Sequence, residues 1–96
     1  MSESLTTSLR YYGISPWEIE VIYGFLNSRF RINQEEIEPN DESYVSFLDI
    51  YIPLPFNEEF FKWFEYKRWE KIKDVFKEMK RRRGTGNAIK IKLNFL

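Results

Sequence analysis

From Asn57 to Gly84 the chain runs without a single helix-breaking residue, and this stretch constrains the fold more than any other. Asn57 reads as an N-cap, and Glu58 and Glu59 follow where the helix dipole favours negative charge. Lys80, Arg81, Arg82 and Arg83 fill the last turn, and Gly84 follows as the stop. The expectation is one helix over about 58–83, nearly 40 Å long at about 1.5 Å per residue. At 100° per residue, Phe61, Phe64, Trp69, Ile72, Val75, Phe76 and Met79 fall within one arc of about 140°, the width of a core-facing stripe. Phe60, Trp63 and Tyr66 fall outside it. The first turns are therefore apolar on a second face, which needs a cover from the N-terminal segment or from a second copy.

Elsewhere the signals are shorter. Ser2 to Tyr12 fits a short helix, with Leu5, Leu9 and Tyr12 at spacings of four and three before Gly13. Ser15-Pro16-Trp17-Glu18 combines an N-cap serine, proline at the first helical position and a glutamate placed to close a capping box. It predicts a helix from Pro16 to about Arg29, with Trp17, Val21, Ile22, Phe25 and Leu26 as the buried stripe and Gly24 at a close helix contact. The period then changes to two. Phe30 and Ile32 alternate with polar residues, Tyr44 to Ile52 is rich in β-branched and aromatic side chains, and Ala88 to Leu96 alternates Ile89, Ile91, Leu93 and Phe95 with Lys90, Lys92 and Asn94. Between the first two strands, Glu35 to Ser43 reads as a solvated turn. No internal repeat is visible.

The expected fold is a single α+β domain spanning 1–96, in the order α-α-β-β-α-β. A small three-stranded sheet packs against one long helix, beside two shorter N-terminal helices. At 96 residues there is room for one core. No apolar run approaches the 18 or so residues of a membrane span, and the N-terminus lacks the layout of a signal peptide, so a cytoplasmic protein without a membrane partner is expected.

Composition narrows function by exclusion. Without cysteine there are no disulfides, thiolate zinc sites or cysteine nucleophiles. Without histidine, serine triads and most transition-metal sites lose their usual residue. The expectation is a protein that is not an enzyme and carries no cofactor and no metal. The net charge of zero hides a segregation: residues 1–66 carry four basic against twelve acidic side chains, and residues 67–96 carry eleven basic against three acidic. Such asymmetry suits a polyanion or an oppositely charged partner.

Three constellations follow. The first joins Lys77, Lys80, Arg81, Arg82 and Arg83 to Thr85 and Asn87 of the Gly84-Thr85-Gly86-Asn87 loop and to Lys90 and Lys92. Arginine forks and glycine-exposed backbone N–H groups match phosphate oxygens, so DNA or RNA is the leading ligand. The plainer alternative is that these cations complement the helix dipole and solvate the surface. The loop follows a helix C-terminus, the opposite of a nucleotide-hydrolysing P-loop. The second constellation, Glu35, Glu36, Glu38, Asp41, Glu42 and Asp49, offers oxygen ligands for magnesium or calcium without any recognisable spacing, and a solvated acidic loop explains it better. Glu65-Tyr66-Lys67, with Asp49 upstream, has the Glu-x-Lys spelling of metal-dependent nucleases, the least unlikely enzyme, but lies inside a predicted helix. The third is an interaction surface: the aromatic face of Phe60, Trp63 and Tyr66, or the acidic loop against the basic helix end, taking a second copy in a homodimer or a host protein.

In its small size, abundance of Phe, Tyr, Ile, Glu and Lys, and lack of Cys and His, the chain resembles the small uncharacterised proteins of viruses of hyperthermophilic archaea. The resemblance is of size and composition and covers no motif. It implies residence in the host cytoplasm and carries over no functional residue.

Overall fold

The computed structural model describes residues 5–39, 44–84 and 88–96. The elements run β1 (Thr6–Tyr12), α1 (Pro16–Asn27), β2 (Arg31–Glu36), β3 (Ser46–Ile52), α2 (Glu58–Phe64), α3 (Tyr66–Arg83) and β4 (Ile89–Phe95). The class is α+β, with the sheet in the order β2-β1-β3-β4. β1 pairs parallel with β2 and β3 parallel with β4, while β1 and β3 run antiparallel at the centre. The chain is thus built from two parallel βαβ units joined along β1 and β3, a structural repeat with no trace in the sequence. Leu9 and Ile50, register partners in the central pair, are both buried at the middle of the core.

The N-terminal segment departs from its expected helix. Thr6–Tyr12 is a strand and not a helix, and the sheet therefore has four strands and not three. Leu5, Leu9 and Tyr12 fit a helical period, but Thr7, Leu9 and Tyr11 fit a period of two equally well, and Thr6 and Thr7 are β-branched. Strands on both sides decide the matter by satisfying the backbone of β1 on each edge.

α1 keeps its expected start. The Ser15 side chain accepts from the Glu18 N–H, and the Glu18 carboxylate accepts from the Ser15 N–H, closing the capping box with Pro16 in the first turn. Its buried face is Glu18, Ile19, Ile22 and Leu26. Trp17, expected inside, is 60% exposed. Nothing lies within 4 Å of a Cβ built on Gly24, so that glycine marks no close contact.

The expected long helix is two helices. Glu65 stands between them at φ 73°, ψ 134°, a backbone conformation that a side chain disfavours. Phe60, Phe64, Ile72, Phe76 and Met79 are all buried. On one straight helix, sixteen steps would leave Phe60 and Phe76 roughly 160° apart, nearly on opposite faces. The break at Glu65 re-aims α2 so that both reach the sheet. Phe60 stacks on Phe64 at 5.4 Å and meets Trp69 and Phe95 edge-on at 5.4 and 5.3 Å. Burial of these rings offsets the cost of the strained junction, which is about 1–2 kcal/mol.

This strain is measurable. Glu65 also pairs with Arg29 at 3.1 Å and Arg68 at 2.8 Å, exposed contacts that any neutral substitution removes. Glu65→Gly and Glu65→Ala lose the same ion pairs, but only glycine relieves the backbone. Thermal unfolding should find the glycine variant more stable than the alanine variant by about 1 kcal/mol, some 4–8 °C in Tm. Equal melting temperatures would mean that residue 65 carries no strain.

Candidate functional site

The expected basic site does not stay together. Arg83 turns inward, its guanidinium forking onto the Glu18 carboxylate at 2.8 and 2.9 Å. Its Nε donates to Ser46 Oγ at 3.1 Å, and Nη1 also donates to the Met79 carbonyl at 3.1 Å. Ser46 Oγ in turn donates to the Gly13 carbonyl at 2.6 Å. Glu18 is 5% exposed. The Arg83 hydrogen bonds, helped by those from Ser15, outweigh burial and pull its carboxyl down to about 2, while Glu18 raises Arg83 in return. Arg83 is thus removed from the ligand-binding set: it ties the end of α3 to the start of α1 and to β3.

Its neighbours are partly spent as well. Arg81 forks onto Glu78 with contacts of 2.7 and 2.8 Å, and Arg82 reaches the same carboxylate at 3.3 Å. Together they hold Glu78 below the usual carboxylate range, Arg81 first. The Arg82 guanidinium also covers the Trp17 ring at 5.3 Å. Lys77 and Lys80 are exposed on the helix layer. Thr85 and Asn87 lie outside the described residues.

Lys90 and Lys92 sit elsewhere. The helices pack on the sheet face that carries Leu9, Leu48, Ile50 and Ile91. Lys90, Lys92 and Asn94 alternate with that set and project from the opposite face, which no helix covers among the described residues. Register builds this open face row by row. Glu35, Arg10, Asp49 and Lys92 line up across all four strands, alternating in charge. Arg10 lies 3.7 Å from Glu35 and 3.8 Å from Asp49, and Asn94 donates to Asp49 at 2.7 Å. Beside that row stand aromatic side chains. Phe47 is opposite Lys90 and stacks on Tyr12 at 5.5 Å, Tyr51 is opposite Asn94 and 38% exposed, and the Lys90 ammonium lies 5.7 Å from the Tyr44 ring centre. The alternation of β4 already pointed to its two lysines. The aromatic partners from β3 escaped notice because nothing in the sequence says which strand lies next to β4.

The other candidates separate too. Phe60 is 1% exposed and belongs to the core, so it cannot form an exposed aromatic face. Trp63 donates its indole N–H to the Arg29 carbonyl at 2.8 Å, and Tyr66 is 61% exposed. Asp49 lies on the open sheet face and Glu65 at the junction in the helix layer, so the nuclease spelling gathers no shared site. Glu35 and Glu36 belong to β2 and not to a loop, and Asp41 and Glu42 lie outside the described residues. Among the described residues no group of three or more acidic side chains converges to hold a metal ion, and no helix is long and apolar enough to cross a membrane.

Fold and site together define a two-layer α+β protein made of two parallel βαβ units, with helices on one sheet face and a mixed charged and aromatic surface on the other. No protein-family model matches the chain, and no curated protein matches it. Among solved structures it is similar to the crystal structure of a 5-carboxymethyl-2-hydroxymuconate isomerase from Deinococcus radiodurans R1, at 14% identity and a TM-score of 0.48. The match covers 96% of this chain and 82% of that one. The expectation that the chain is not an enzyme is withdrawn: missing cysteine and histidine exclude only the chemistries that need those side chains, and the similar structure is that of an isomerase. At this level of similarity it supplies no reaction, substrate or residue for the present chain.

Proposed function

We propose that the protein binds single-stranded nucleic acid on the open face of its sheet. The observation that carries this reading is the placement of Tyr44, Phe47 and Tyr51 beside Lys90 and Lys92 on a face that no helix covers among the described residues. Unpaired bases stack on aromatic rings in a sequence-tolerant way, and lysines alongside neutralise the phosphates. Arg10 and Arg31 extend the basic margin across β1 and β2, against Glu35 and Asp49. A duplex hides its base faces and gains only the phosphate contacts, so single strands are preferred. Lys77, Lys80 and Arg81 lie on the helix layer and act on this ligand only through the overall field.

Fluorescence anisotropy with labelled single- and double-stranded DNA and RNA tests this at about 50 and 200 mM salt. Single strands should bind more tightly, with affinity falling steeply as salt rises. Tyr51→Ala should weaken binding by about 5- to 150-fold, the range for one lost stacking contact. Lys90→Ala with Lys92→Ala should also flatten the salt dependence. Equal binding of duplex and single strand, or loss only when Lys77, Lys80 and Arg81 are replaced, would move the site to the helix layer. No binding at low salt would end the proposal.

A further inference from the structure

We infer that the protein has a second ligand site, a pocket for an alkylammonium ion at the carboxyl ends of β1 and β2. There, on the helix-covered side of the sheet, a cavity of about 380 Å³ opens between the two parallel strands and the first turns of α1. Ile14 and Ile19 give it an apolar floor, and the Tyr11 and Tyr23 phenols stand in its walls.

Its charge is one-sided. Glu20 on α1 and Glu36 at the end of β2 line the cavity, no lysine or arginine does, and neither carboxylate has an ion pair or hydrogen bond among the described residues. Glu18, whose carboxylate also lies on α1, is taken up by Arg83 and faces away from this pocket. Gln34 donates to the Tyr11 hydroxyl at 3.0 Å, which occupies a lone pair there and leaves the phenolic proton and the Gln34 carbonyl oxygen for a ligand. Two carboxylates, two phenol rings and an amide oxygen around an apolar floor select an organic cation. The rings attract an ammonium group through their faces, the carboxylates pair with it, and the isoleucines take up methylene groups. With two negative groups available, a short diamine fits better than a monoamine. The site is independent of the nucleic-acid surface, which lies on the other face of the sheet.

The test is titration of the protein with 1,4-diaminobutane at constant ionic strength, followed by NMR shifts of the Tyr11 and Tyr23 rings and by calorimetry. N-acetyl-lysine methylamide serves as a second probe for a lysine side chain presented by a protein, and sodium chloride as the control. Saturable shifts at both rings are expected with the diamine, about tenfold weaker in Glu20→Gln with Glu36→Gln and unchanged in Glu58→Gln with Glu59→Gln, which removes the same charge at α2. Tighter binding of the lysine probe would assign the pocket to a partner's lysine, and tighter binding of the diamine to a free amine. Shifts that sodium reproduces, or that survive in the Glu20 and Glu36 variant, would overturn the site.

Discussion

Arg83→Ala is expected to lower the unfolding free energy at pH 7 by about 3–5 kcal/mol, a large share of what holds a small domain together. The substitution leaves Glu18 nearly buried and ionised with only its Ser15 contacts, and it strips Ser46 Oγ and the Met79 carbonyl of a donor. Replacing both partners, Glu18→Gln with Arg83→Met, should cost clearly less, because no charge is stranded. Urea unfolding of the three proteins decides the order. A loss below about 1 kcal/mol in Arg83→Ala would show that the pair behaves as an exposed ion pair.

The same pair sets a pH dependence. Glu18 is lowered from an ordinary 4.5 to about 2, so its stabilising contribution is fully present above the unfolded value. It is lost as pH falls from about 4.5 through about 2. A shift of this size corresponds to on the order of 3 kcal/mol. The wild type should therefore lose stability over that window more steeply than the double variant. Matching slopes would remove Glu18 as the cause.

Gly13→Ala is expected to be as damaging, at about 3 kcal/mol or more, and to leave little folded protein. Gly13 has φ +65°, where a side chain is strained. A Cβ there would run into the Val45 carbonyl oxygen and come within 3.2 Å of Ser46 Cα, both backbone atoms that cannot swing aside. The same carbonyl-rich corner holds the Ser46 to Gly13 hydrogen bond and, through Ser46, Arg83. Gly24→Ala is the matched control. It lies inside α1 with open space around the new methyl group, and alanine should stabilise it by up to about 1 kcal/mol. Chemical denaturation should thus give one substitution with two signs. If both glycines respond alike, the close approach at Gly13 is not what the backbone requires.

Parts of the candidate site were legible and parts were not. The alternation of Ile89 to Phe95 identified Lys90 and Lys92 as neighbours on one strand face, because that relation needs only the pleat of a single strand. The four cations at the end of α3 looked alike in sequence, yet Arg83 is half-buried while Arg81 is exposed. The difference comes from Glu18, 65 residues away, which no local pattern can reach. Likewise the aromatic residues beside the lysines depend on β3 lying next to β4.

By itself the sequence determined the features that neighbours along the chain carry: the capping box that starts α1, the β-branched and aromatic run of β3, the alternation of β4, the helical stretch that begins after Asn57, and the separation of charge between the two parts of the chain. Tertiary structure alone decided that Thr6–Tyr12 is a central strand, since only the paired edges of β2 and β3 outweigh its equal fit to a helix. It also decided that the helical stretch breaks at Glu65. Aromatic residues on two sides of one helix cannot all reach the same sheet, and their burial together exceeds the local cost of a strained junction.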